Sequence, residues 1–156
     1  MRFAPSDRPV QPEPLSAGMK VILDTNILVS ALLTRRGSSA RLLDAWIERR
    51  FELVTSAIQI AELVDVTRRR HIRPLIIPAV AGRFVNDLRR HATMLGHLPS
   101  LSRSVDSGDD FLLAMAEVSE AQFLVTGDKR DLLALAVHGR TQIVTARFLL
   151  QTLKIV

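Results

Sequence analysis

Five acidic residues stand where a chain of alternating strands and helices could gather them. Asp24 ends the apolar run VILD (21–24), Asp109 and Asp110 open DDFLLAMA, and Asp128 follows FLVTG (123–127). In an open parallel α/β sheet, ligands bind outside the carboxyl ends of the strands, where loops and helix starts converge. All four of these positions can reach such a rim. Glu62 lies in TSAIQIAELVDVTRRR (55–70), with Ile58 and Val66 four residues to either side. On a helix those three share a face, so Glu62 interrupts an apolar row and needs a partner.

Three or four carboxylates close together repel one another and raise their pKa values unless a cation compensates. The chain has no cysteine, and its four histidines, His71, His91, His97 and His138, are scattered and read as surface or core residues. Oxygen-only coordination then favours one or two Mg²⁺ or Mn²⁺ ions over zinc. Each acid also has a plainer reading, which for a mid-helix residue such as Glu62 is a solvated face. Asp109 and Asp110 suit a helix N-terminus, Asp128 with Asp131 could cap the helix after it, and Asp24 could form an Asx-turn or cap a helix over 27–33.

The elements that must position these residues are short apolar runs alternating with longer stretches of helical period, the pattern of an α/β protein with a mainly parallel sheet. Strands are expected at 20–23, 52–54, 122–125 and 141–144, with a weaker one near 94–97. Helices are expected over 37–50, 56–70, 79–93, 109–119 and 129–137, and a last one from 146 to about 153. In the first of these, Leu42, Leu43, Trp46 and Ile47 share one face, and Ser38 or Ser39 is the expected N-cap. The third packs through Val80, Phe84 and Leu88.

At 156 residues the chain is about one domain long. Hydrophobic residues make up 47% and charged residues 24%, a globular composition whose apolar runs are too short to cross a bilayer. The cysteine count excludes disulfides, thiol catalysis and thiolate zinc sites, and makes the cytoplasm the default location. Residues 1–18 carry prolines at 5, 9, 12 and 14 and no continuous apolar stretch. They read as a disordered tail before a single domain over 19–156. A net charge of +5 permits a polyanionic partner but does not demand one.

From Met19 to about Lys154 the chain resembles the PIN-domain ribonucleases, and within them the toxins of bacterial toxin–antitoxin modules. ILDTNILVSALL is similar to that family's first strand, acid and Asn, LVTSAIQIAELVDV to its Ser/Thr and Glu helix, and DSGDDFLLAMAEVSEAQFLVTGDKRDLL to its third and fourth acids. Three motifs in order at fitting separations make the resemblance specific. It implies a three-layer α/β/α sandwich around a mainly parallel sheet of Rossmann-like topology. Asp24, Glu62, Asp109 and Asp128 become the catalytic and metal-binding acids, with Asn26, Asp110 and Thr126 auxiliary. Ser107 and Gly108 stand where relatives tend to have further acids or proline, which leaves Asp106 without an assigned role, and Glu120 stands where a glycine often ends the helix.

The resemblance further implies a metal-dependent endoribonuclease that leaves a 5′-phosphate and a 3′-hydroxyl, acting as the toxin of its module. An RNA substrate, a cognate antitoxin protein and a homodimer are the implied partners, and no membrane is involved. Arg35, Arg36, Arg68, Arg69, Arg70 and Arg73 are candidates to hold the phosphate backbone, with His71 beside them. RRRHIR (68–73) reads equally as a solvated helix C-terminus, where cations suit the dipole. The competing class is a non-catalytic PIN-like module that binds RNA or protein. A haloacid-dehalogenase-type phosphatase needs a second Asp two residues after the first, and that position is Asn26. A receiver domain needs paired acids near the first strand and a Lys after the last, and VILDTN and TQIVTAR supply neither.

Overall fold

The computed structural model describes residues 18–101, 107–127 and 130–155, with the backbone alone at 107, 130 and 131. The proposed tail, apart from Gly18, lies outside the described residues, as do Asp106 and Asp128.

Six strands form one sheet in the order β3-β2-β1-β4-β6-β5. They are β1 (Lys20–Leu23), β2 (Glu52–Ser56), β3 (Thr93–Leu95), β4 (Phe123–Val125), β5 (Val137–His138) and β6 (Thr141–Val144). All neighbours run parallel except the β5–β6 pair. The helices are α1 (Thr25–Leu33), α2 (Ser38–Ile47), α3 (Ala57–Thr67), α4 (Pro78–His91), α5 (Asp110–Ser119), α6 (Arg130–Leu135) and α7 (Ala146–Thr152).

Strand alternation divides the core. Val21 and Leu23 of β1, Leu53 of β2 and Val125 of β4 face a cluster built with α1, α2, α3, α4 and α7. Ile22, Val54, Leu124 and Ile143 face the opposite way, against Leu112, Leu113 and Met115 of α5 and Leu132 of α6. The result is three layers, α/β/α. Because β1 is covered on both sides, its sequence is continuously apolar rather than alternating. Leu42, Leu43, Trp46 and Ile47 are all buried in the first cluster, as their spacing predicts, and so are Phe84 and Leu88, with Val80 packed at its margin.

Several local expectations are corrected. Gly37, not Ser38 or Ser39, is the N-cap of α2, with no side-chain capping bond. The helix expected to 137 stops at Leu135. Ala136 turns left-handed (φ 59°), and Val137–His138 joins a two-residue hairpin through Gly139 (φ 60°) as an antiparallel edge strand. His138 is buried, and its Nε2 lies 3.0 Å from Glu117 on α5. The apolar row around Glu62 holds on one side only: Val66 is buried, whereas Ile58 is 52% exposed. Gln59, Ile60, Leu63 and Val66 face inward instead, rotating Ile58 to the solvent and leaving Glu62 half-buried at the edge. Helix α5 ends on Glu120 in the left-handed region (φ 53°, ψ 38°), which is why a glycine suits that position.

Candidate active site at the carboxyl rim of the sheet

Strand order reverses direction between β1 and β4. The chain runs outward from β1 to β2 and β3, then returns to place β4 and β6 on the other side of β1. Such a switch point leaves a crevice at the carboxyl ends of the two central strands. Asp24 follows β1 there, and Thr126 follows β4. The ladder continues past both strands, with the Asp24 N–H donating to Val125 O at 2.8 Å and the Thr126 N–H to Val144 O at 3.0 Å.

Both side chains are fully buried, and they bind each other: the Thr126 hydroxyl donates to Asp24 Oδ2 at 2.8 Å. Asp24 Oδ1 accepts from the Asn26 N–H at 3.3 Å, so Asp24 is also the N-cap of α1. The capping alternative and the rim placement thus coincide in one residue. Asn26 itself is exposed.

Glu62 reaches the same place by a different route. The Ser56 hydroxyl caps α3 by accepting from the Gln59 N–H at 3.2 Å. The Gln59 side chain then crosses to β1, donating from Nε2 to Leu23 O at 2.6 Å and accepting the Thr55 hydroxyl at 2.7 Å. Gln59 and Thr55 are each only 1% exposed. These bonds lock the first turn of α3 to the residue before Asp24. Glu62 lies three residues beyond Gln59, one turn along the same side, and its Oε2 accepts the Thr25 hydroxyl at 3.3 Å. Thr25 is the partner that the position of Glu62 demands.

Asp109 comes from the other layer. Helix α5 runs from the carboxyl rim back toward the start of the sheet: the Ser56 hydroxyl at the end of β2 meets Met115 Sδ at 3.3 Å, while Gln122, past the helix, bonds Lys20 at the start of β1. Asp109 precedes Met115 by six residues, about 9 Å of helix, which carries it to the rim side. It is 5% exposed and makes no capping hydrogen bond, although it occupies the N-cap position of α5. Asp110 opens the helix and is half-buried.

Of the twelve buried polar side chains among the described residues, seven belong to this rim: Asp24, Thr25, Thr55, Ser56, Gln59, Asp109 and Thr126. A core that tolerates so much polarity at one edge is organised around it. Burying unpaired polar groups costs about 1–3 kcal/mol each, and here the hydrogen bonds among these side chains offset that cost.

The chain matches the PIN domain family over residues 20–130. It belongs to the PIN-domain family. Comparison with curated proteins gives no match. The matched region runs from β1 to the first residue of α6, so it contains every rim residue described above.

A PIN domain is a nuclease-type fold, and the family typically uses divalent metals. The donors of this PIN domain fit a hard cation in kind: they are carboxylate oxygens, and the chain offers no thiolate. Each Asp24 oxygen accepts a hydrogen bond, Oδ1 from the Asn26 N–H and Oδ2 from the Thr126 hydroxyl, which fixes the carboxylate at the crevice. Among the described residues, no three acids or histidines stand close enough together to hold an ion. The set of four carboxylates includes Asp128, which lies outside them.

The basic candidates sit apart from the acids. Arg35 and Arg36 follow α1, whose nine residues span about 14 Å from Asp24. Arg68 is six residues, about 9 Å of helix, beyond Glu62. Arg69 pairs with Asp65 at 3.2 Å on the surface, and Arg70, His71 and Arg73 are exposed. Sequence reasoning passed over Gln59, although Ser56-x-x-Gln59 has capping-box spacing and marks both a helix start and a side chain available for bonding. No helix among the described residues is long and apolar enough to cross a membrane.

Proposed function

We propose that this PIN domain is a metal-dependent endoribonuclease. The observation that supports it best is the fully buried Asp24 at the switch point, fixed by Thr126, with Glu62 tied beside it through Thr25. Asp24, Glu62, Asp109 and Asp128 would hold one or two Mg²⁺ or Mn²⁺ ions. When bound, these lower the pKa of a water and stabilise charge on the attacking and leaving oxygens. The protein's own part is positional. The Thr126 hydroxyl and the Asn26 N–H fix the Asp24 carboxylate, Gln59 sets the distance between α3 and β1, and Asp110 supports Asp109 from the next residue. The new bond joins water oxygen to phosphorus as the bond to the 3′ oxygen breaks. That oxygen takes up a proton, so the products are a 5′-phosphate and a 3′-hydroxyl. In the cell this reading makes the protein a cytoplasmic homodimeric toxin restrained by a cognate antitoxin.

The test is Mn²⁺-dependent cleavage of an RNA panel by the protein and by Asp24→Asn. Loss of a ligand should exceed the roughly 10–100-fold typical of residues that merely support one. Equal cleavage by both proteins sinks the assignment. RNA binding without cleavage by either identifies a non-catalytic binding module instead.

A further inference from the structure

Beside the acidic rim lies a cavity of about 570 Å³ between α1, the start of α2 and the start of α7. Asn26 and Thr126, which bond Asp24, form one wall, and Ser30, Ser39 and Thr145 contribute hydroxyls. Among the described residues that line it, Arg147 is the one charged side chain and none is an acid. Arg147 is exposed and pairs with no carboxylate among the described residues.

We infer that this cavity is a nucleotide subsite, which takes one nucleotide of a single-stranded RNA next to the cleavage position, with Arg147 holding its phosphate. The inference rests on the ribonuclease reading for the identity of the polymer. Three observations carry it. The volume falls in the range of small-ligand sites, about 300–1,000 Å³, and suits a single unit rather than a stretch of chain. The wall combines hydroxyls and an amide, groups that bond ribose and base edges in either sense. The lone cation is a guanidinium, whose planar fork matches phosphate oxygens bidentately. Because Asn26 and Thr126 line the cavity and also contact Asp24, a strand lying at the rim enters the cavity with its adjacent nucleotide. None of the arginines singled out from the sequence lines the cavity, whereas Arg147 does.

The experiment measures binding of a fluorescein-labelled, nine-nucleotide single-stranded RNA by anisotropy across a salt series, in Asp24→Asn protein with Mn²⁺. Arg147→Gln should weaken binding about tenfold, the loss of one charged hydrogen-bonded contact. It should also flatten the dependence of log affinity on log salt by about 0.7, one phosphate of a single strand. Arg147→Lys should keep the slope while losing part of the affinity. Ser30→Leu, on an exposed helical position, should fill the cavity and weaken binding with no change in slope. Parental affinity and slope in Arg147→Gln, or parental affinity in Ser30→Leu, overturns the proposal. If an acidic peptide such as oligoglutamate shows the Arg147 dependence and RNA does not, the cavity belongs to a protein partner and the proposal also fails. Binding and cleavage separate the two readings. RNA held in an Arg147-dependent way but never cut removes the ribonuclease and keeps the subsite, while intact cleavage with Arg147-independent binding does the reverse.

Discussion

Replacing Gln59 by Leu removes a side chain of similar size that holds α3 against β1. The change leaves the Leu23 carbonyl and the Thr55 hydroxyl without their partners, in surroundings where Leu23 is fully buried and Thr55 is 1% exposed. Each stranded group costs about 1–3 kcal/mol, so the variant should lose about 2–5 kcal/mol. A chain of this length shifts its melting temperature by about 2–4 °C per kcal/mol, giving a drop on the order of 10 °C. Thr55→Val in the same protein removes one of the two stranded groups, so the double variant should be no less stable than Gln59→Leu alone, with a coupling energy of about 1–2 kcal/mol. Urea titration followed by the emission of Trp46, the sole tryptophan and a buried one, reads both quantities from midpoints at constant slope. A loss below about 1 kcal/mol for Gln59→Leu, or strictly additive single variants, would refute the view that these bonds fasten the helix carrying Glu62.

Thr126→Val keeps the shape but removes the donor to Asp24 Oδ2, and should cost about 1.5–3 kcal/mol in the same titration, whereas Thr126→Ser should retain most of the stability. Glu120→Gly relieves about 1–2 kcal/mol of left-handed strain against about 0.4–1 kcal/mol of added chain entropy. The net gain of about 0.5–1 kcal/mol should appear as a melting point about 2 °C higher in calorimetry. Chelation by EDTA should abolish RNA cleavage, and Mn²⁺ or Mg²⁺ added in excess should restore it. Cleavage that persists in EDTA would exclude the metal-dependent mechanism.

Much of the fold was legible because it depends on periodicity. The parallel strands β1, β2, β4 and β6 are short apolar runs, and the face through Leu42, Leu43, Trp46 and Ile47 is a repeating helical spacing that packing preserves. The misses fall where pairing or a single backbone angle decides. Val137–His138 is too short for any periodic signal, and it becomes a strand only because Gly139 turns the chain back onto β6. The spacing predicts that Ile58 and Val66 shield Glu62, but Gln59 takes the inward position and Ile58 turns out. A glutamine that satisfies a strand carbonyl looks in sequence like any polar surface residue, so the rotation of α3 could not be read from spacing alone. The rim residues Asp24 and Asp109 were legible for the opposite reason: acids at the ends of apolar elements are conspicuous wherever the elements themselves can be placed.

The two layers beside the sheet are unequal. Among the described residues, twenty-five buried apolar side chains form the cluster under α1, α2, α3, α4 and α7, and ten form the one under α5 and α6. Cooperative opening need not involve the whole molecule, and the thinner layer has less apolar contact to lose. Asp24 and Glu62 are anchored in the thicker layer, and Asp109 in the thinner. A transient detachment of α5 therefore carries Asp109 away from the rim while β1, α1 and α3 stay folded, so the proposed four-acid site would have a shorter lifetime than the native state.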